Sequence, residues 1–175
     1  MLSRVKQVIA ALTAKVNFSD QVFVSKRLND KERKLFYGMN LPDQRHALNV
    51  AYTSLNLSRN NPESDLNLLV RAALLHDVGK QLGDVSTLDK IITVIAHQLV
   101  PELASKWGRE GRGGKIANFR HAVYVHFHHP ERSAQLLRAI GAEPKLVDII
   151  SRHHAESQLS DAIELKLLRQ ADDLN

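Results

Sequence analysis

Apolar side chains recur every three or four residues along nearly the whole chain, which is the spacing of an amphipathic α-helix. Capping residues, glycine and proline divide this pattern into separate helices. The expected helices cover residues 5–17, 21–28 (with Asp20 as N-cap), 30–37, 41–57, 65–77, 87–97, 101–107, 129–140, 144–154 and 160–173. The pattern therefore predicts an all-α protein.

Two of these helices are joined by a short polar break, so we expect them to pack antiparallel. The first begins at Leu41-Pro42-Asp43, with proline in its first turn, and the second begins at Ser64 or Asp65. Antiparallel packing brings the start of the first helix to the end of the second. His46, which by itself would be an ordinary partly buried histidine, is then expected to lie beside His76-Asp77.

The second of these helices ends in the run Leu74-Leu75-His76-Asp77-Val78-Gly79-Lys80. Buried charge is costly unless it is paired or coordinated, so adjacent histidine and aspartate at the end of a core helix favour a metal site. Gly79 is expected to form a left-handed helix cap. Lys80 stands where a cation suits both the helix carboxyl end and an anionic ligand.

Composition limits the class of protein. A chain of 175 residues, 43% hydrophobic and 25% charged, suits one soluble domain. No apolar stretch is long enough to span a membrane and the amino terminus does not resemble a secretory signal, so we expect a cytoplasmic protein. The absence of cysteine excludes disulfides, thiolate zinc sites and cysteine nucleophiles. Any metal would be held by histidine, aspartate or glutamate.

The net charge of +5 is scattered along the chain, which suits an anionic substrate better than nucleic acid as the main ligand. One glycine-rich stretch, residues 108–115, concentrates cations. Its Arg109, Arg112 and Lys115 are candidates to bind substrate phosphate by folding over the site. A solvated surface loop is the alternative, since the stretch lacks phosphate-loop spacing.

Histidines are dense in the carboxyl-terminal half, where several stand at helix ends beside apolar stripes. We interpret His121, His126 and His128 as ordinary packing or surface histidines, and His97 as a cation at a helix end. Asp173 is interpreted as a solvated neighbour of Asp172. The repeated occurrence of histidine and aspartate at helix ends beside apolar stripes predicts a shared polar centre in a helical core.

The order of these residues resembles the HD-domain superfamily of metal-dependent phosphohydrolases. The matching features are, in order, His46, His76-Asp77 followed by Val-Gly-Lys, His129-Pro130 with Ser133-Ala134, His153-His154, and Asp172 within Gln-Ala-Asp-Asp. The resemblance covers residues 41–175, as a helical HD core, and leaves residues 1–40 unexplained. From the length of the chain we expect a single domain over residues 1–175, in which an amino-terminal helical extension at 1–40 packs over the core or is a docking surface for a partner.

The resemblance also implies roles for individual residues. The first metal is expected on His46, His76, Asp77 and Asp172, and a second on His129 and His153, with His154 as the alternative ligand and Asp77 bridging both. Asp77 and Lys80 are the implied catalytic residues, and Lys80 would also bind substrate phosphate. One or two divalent metals are expected, iron or manganese before zinc, magnesium, cobalt or nickel.

The implied activity is hydrolysis of a phosphoester or phosphoanhydride bond in a nucleotide or dinucleotide by metal-activated water. The chain is similar both to the symmetrical dinucleoside tetraphosphate hydrolases and to the branch that hydrolyses cyclic dinucleotides. The Gly-Tyr-Pro segment of the latter is absent, since the double histidine is followed by Ala155-Glu156-Ser157-Gln158. The alternatives are a non-catalytic HD module that binds a nucleotide or a protein, and an RNA-end phosphodiesterase.

Overall fold

The computed structural model describes residues 15–83 and 107–175, and in these ranges the protein is all-α, as predicted. Seven helices are present there: α1 (Phe18–Arg27), α2 (Asp30–Tyr37), α3 (Leu41–Ser58), α4 (Leu66–Leu75), α5 (Lys115–Ala139), α6 (Pro144–Arg152) and α7 (Ile163–Asp173). The helices expected at 5–17, 87–97 and 101–107, and His97 itself, lie wholly or mostly outside the described residues.

Helix α4 is the centre of the fold. Seven of its ten residues are buried, including Leu69, Val70, Leu74 and Leu75, as expected of a helix with a broad apolar surface. It packs against α1, α2, α3, α6 and α7. The pairing of α3 with α4 confirms the predicted helix pair, and Asp65 is the N-cap of α4, its side chain accepting a hydrogen bond from Leu68 N at 3.0 Å.

Both amino-terminal helices begin with a capping box. Asn17 caps α1 by accepting a hydrogen bond from Asp20 N at 2.9 Å, while the Asp20 carboxylate accepts one from Asn17 N at 3.0 Å. The prediction of Asp20 as the N-cap is therefore wrong by one turn. The Asp20 carboxylate also accepts a hydrogen bond from Arg45 at 2.7 Å and one from the Tyr52 hydroxyl at 2.8 Å. These two contacts connect α1 to α3.

Two further helix starts differ from the prediction. Helix α5 does not begin at His129 but runs for 25 residues from Lys115, with Pro130 in its interior. Helix α7 begins at Ile163 rather than near Ser160. The helix starts later than predicted because residues 158–161 form a turn, in which the side chain of Asp161 accepts a hydrogen bond from Gln158 N at 2.9 Å. Within the described ranges, no helix has the length and apolar character that crossing a membrane requires.

Candidate metal centre

The site begins where α4 ends. His76 is the C-cap of α4, and both His76 and Asp77 are buried. The backbone of Gly79 in the following turn lies against α5, where a Cβ atom would come within 2.6 Å of His129 O and 2.8 Å of Ser133 N. Gly79 is not among the glycines with positive φ, so the predicted left-handed cap is wrong. Glycine is required here by the close approach of α5.

Three buried imidazoles share one hydrogen-bonding arrangement. Nδ1 of each ring lies 2.7–2.8 Å from the carbonyl oxygen three residues earlier, pairing His76 with Ala73, His129 with His126, and His153 with Ile150. Since a carbonyl can only accept, Nδ1 carries the proton and Nε2 keeps a free lone pair. In the described part of the chain, all three Nε2 atoms are buried without a hydrogen-bond partner. Rings fixed in this way are the usual ligands of metal ions in proteins.

Pro130 explains one of these contacts. Proline has no N–H, so it cannot make the helical hydrogen bond to the carbonyl of His126, four residues earlier. The His129 ring makes a bond to that carbonyl instead, at 2.7 Å. The helix can therefore continue through Pro130, and the same contact fixes the ring of His129.

The candidate ligands form two clusters, and a third group, His76, Asp77 and His153, links them. The first cluster consists of His46, His76 and Asp172, and the second of His129, His153 and His154; in each, the ligand atoms lie within 4.8 Å of one another. In the first, Asp172 Oδ1 is 2.9 Å from His46 Nε2 and 3.7 Å from His76 Nε2. His154 is the exposed member of the second cluster.

Asp77 lies between the two clusters. Its Oδ1 is 3.3 Å from His129 Nε2, while its Oδ2 is 3.6 Å from His76 Nε2 and 4.0 Å from His46 Nε2. One carboxylate oxygen thus faces each cluster. Lys80 is beside it, with Nζ 2.7 Å from Oδ1 and 2.9 Å from Oδ2.

The protonation states suit a cation. Burial would raise the pKa of Asp77, but Lys80 and the surrounding imidazoles hold it well below its usual value. Burial also opposes the charge of Lys80, yet Asp77 and Asp43 raise its pKa. Burial lowers the pKa of His129, and together with His76 it lowers that of His153 to about 3. Neutral imidazoles beside ionised carboxylates are the forms in which these groups bind metal.

The seven ligands predicted from the sequence therefore all lie in or between the two clusters. The three loop cations, Arg109, Arg112 and Lys115, are exposed, and their described contacts do not include the clustered histidines. Arg112 lies near Gly83, three residues after Lys80, since its Nη1 is 3.9 Å from where a Cβ on Gly83 would stand.

The histidines interpreted as non-ligands have other surroundings. His121 is buried and its Nδ1 accepts a hydrogen bond from Gly111 N at 3.3 Å, while His128 is exposed and packs on the ring of Tyr124. Sequence reasoning missed the polar residues that hold the ligands. Two of these residues are Arg169, which donates a hydrogen bond to the carbonyl oxygen of His153, and Asp161, which pairs with Arg169. Their spacing in the sequence matches no motif, so their contact could not be predicted.

The folded chain thus defines an all-helical protein whose buried histidines and aspartates could hold metal ions. A family model described as the HD domain matches residues 44–175. The chain therefore belongs to the HD domain family, which confirms the resemblance at the level of the family. Neither a search of curated proteins nor a search of solved structures found a match.

Proposed function

We propose that this protein is a metal-dependent phosphohydrolase that cleaves a phosphoester or phosphoanhydride bond of a nucleotide or dinucleotide. The observation that carries the proposal is the set of three buried Nε2 atoms that have no hydrogen-bond partner among residues 15–83 and 107–175, beside an aspartate that faces two ligand clusters. Leaving buried polar atoms unpaired costs about 1–3 kcal/mol each. Such a cost is understandable if the atoms bind a cation.

The donor set fits one or two divalent cations. His46, His76 and Asp172 would hold the first and His129, His153 and His154 the second, with Asp77 contributing an oxygen to each. Imidazole and carboxylate ligands suit iron and manganese, and also zinc, cobalt and nickel. Divalent cations at such a site lower the pKa of bound water and neutralise charge on a phosphoryl oxygen.

Lys80 would bind the phosphate that reacts. Its ammonium group is held beside Asp77 and remains protonated, so it can donate hydrogen bonds to phosphoryl oxygens next to both clusters. Arg112, with Arg109 and Lys115 on the same loop, would neutralise phosphates further along the substrate. The position of Arg112 near Gly83, three residues after Lys80, supports this arrangement. A chain of phosphates, as in a dinucleoside tetraphosphate, is the kind of substrate that would use both cationic groups.

The proposal is tested by metal content and hydrolysis on the same preparation. Protein purified without chelator or affinity tag is analysed for metal per chain. It is then assayed for phosphate or nucleotide release from a dinucleoside tetraphosphate, a cyclic dinucleotide, a nucleoside monophosphate and a short RNA. We expect one or two equivalents of metal and hydrolysis of at least one nucleotide. The double variant His76→Ala, Asp77→Ala should lose both metal and activity.

His128→Gln is the matched control, because His128 is an exposed histidine on the same helix as His129. It should keep the metal content and activity of the parent protein. Metal binding without hydrolysis of any substrate would favour the non-catalytic binding module. Preference for RNA that is lost at high salt would favour the RNA-end phosphodiesterase. No metal, even after reconstitution, would refute the proposal.

A further inference from the structure

Arg169 on α7 makes three contacts around the end of α6. Its Nε donates to His153 O at 3.2 Å, its Nη2 donates to Arg152 O at 2.9 Å, and its Nη1 donates to Asp161 Oδ2 at 2.6 Å. The last carbonyls of a helix have no partner within the helix. Arg169 donates to two of these carbonyls, in the segment that carries the two consecutive histidines of the second cluster. Arg152 O also accepts a hydrogen bond from Ala155 N at 2.9 Å.

Asp161 holds the guanidinium group in this position. Its carboxylate is buried, and besides Arg169 it pairs with Arg152 and accepts a hydrogen bond from Gln158 N at 2.9 Å. The backbone N–H of Gln158 and the guanidinium of Arg169 lower the pKa of Asp161 to about 2. Asp161 is therefore an ionised anchor at neutral pH, fixed by the turn that precedes α7.

The same helix contributes to the first cluster. Asp172 follows Arg169 by three residues on α7, so the two side chains lie on neighbouring positions of one helix face. The His153 ring is tied to Ile150 O at 2.7 Å, so its Nε2 can shift only with the backbone that Arg169 holds. Helix α7 thus supplies a ligand to one cluster and fixes the backbone of the other.

We propose that Arg169, held by Asp161, is a positioning residue that sets the geometry of the second cluster relative to the first. The inference rests on the proposed function, because it takes both clusters to be metal sites. Arg169 would touch neither metal nor substrate; it acts through the backbone of His153. Loss of such a supporting contact typically weakens metal affinity about 10- to 100-fold.

The test separates the two clusters by titrating the chelator-treated protein with Mn²⁺ in a calorimeter. In Arg169→Gln we expect the second equivalent to bind about 10- to 100-fold more weakly, with the first unchanged. Arg71→Gln is the matched control. Arg71 is also a largely buried arginine with two ion pairs, 2.7 Å to Glu32 and 3.2 Å to Glu143, but it touches neither cluster. Arg71→Gln should lower the Tm, and it should not weaken the binding of one Mn²⁺ equivalent more than that of the other.

A second measurement uses the metal-free protein and is independent of the proposed function. Nitrogen NMR of the imidazoles should show altered His153 and His154 signals in Arg169→Gln, with those of His46 unchanged. Unchanged His153 and His154 signals would overturn the inference, as would the same selective metal loss in Arg71→Gln. If the parent protein bound no metal but the NMR difference appeared, the proposed function would fail and the positioning role would stand.

Discussion

The hydroxyl of Ser133 donates a hydrogen bond to the carbonyl oxygen of His76 at 2.8 Å. The hydroxyl oxygen of Ser133 in turn accepts a hydrogen bond from Gly79 N, also at 2.8 Å. Ser133 stands one turn beyond His129 on α5, so a single buried atom joins the helix of the second cluster to the chain segment that carries His76 and Asp77.

Replacing Ser133 with alanine should therefore destabilise the protein. The change leaves the Gly79 N–H and the His76 carbonyl buried without this partner, and each such loss costs about 1–3 kcal/mol. We expect the free energy of unfolding, measured in urea, to fall by an amount in that range or above it. Ser151→Ala is the control, since its hydroxyl donates only to Asp148 O in the same helix. Equal effects of the two variants would show that the Ser133 bridge contributes nothing.

Gly79→Ala tests the close approach of α5. The new Cβ would stand 2.6 Å from His129 O and 2.8 Å from Ser133 N, and these backbone atoms can only move if α5 moves. Overpacking of this kind typically costs about 1–3 kcal/mol. We expect a lower Tm and weaker metal binding, because the displaced helix carries His129. Gly113→Ala should change neither, since its nearest neighbour is the Ala117 Cβ at 3.4 Å. A Gly79→Ala protein with parental Tm would contradict the packing argument.

The three histidines of the second cluster should make the metal-free protein sensitive to acid. Burial lowers the pKa of His129, His153 and His154, and that of His153 falls to about 3. Below about pH 6.5 the unfolded chain takes up protons that the folded chain does not, so the free energy of unfolding decreases as pH falls toward 3. Burial opposes protonation of His46, but Asp172 and Asp77 raise its pKa. Protonation of His46 therefore adds to the free energy of unfolding as pH falls, opposite to the effect of the other three rings.

Urea unfolding of the chelator-treated protein between pH 7 and pH 5 measures the slope of the free energy of unfolding against pH. His153→Gln should flatten it by up to about 1.4 kcal/mol per pH unit, the value for one proton. A His153→Gln slope equal to that of the parent protein would mean that this imidazole is protonated in the folded state as easily as in the unfolded one.

The sequence predicted those features that depend on local pattern. The antiparallel pairing of α3 with α4 follows from two apolar stripes and a short break, and it brings His46 to His76 and Asp77. The end of α5 before Gly141, whose φ is +76, and the start of α6 at Pro144 were also predicted, because glycine and proline mark helix boundaries. These signals are contained within a few residues of each element.

The features that the sequence did not predict depend on contacts between distant segments. Pro130 is normally a helix start or break, and it is tolerated inside α5 because the His129 ring bonds to the carbonyl that proline leaves free. Gly79 is needed because α5 approaches it, not because of its own φ. The contacts of Arg169 with Asp161 and with the backbone of Arg152 and His153 join residues whose roles could not be read from spacing.

The placement of Asp77 between the clusters gives a prediction that distinguishes its role from those of the histidines. Its Oδ1 faces His129 and its Oδ2 faces His46 and His76, so Asp77→Asn should weaken both metal equivalents. His46→Gln should weaken only the first and His129→Gln only the second, as measured by calorimetric titration of Mn²⁺. Asp77→Asn should also lower the Tm, because Lys80 then loses its partner carboxylate. If Asp77→Asn lost one equivalent and kept the other at parental affinity, Asp77 would belong to a single cluster, and its role as a ligand shared by both clusters would have to be abandoned.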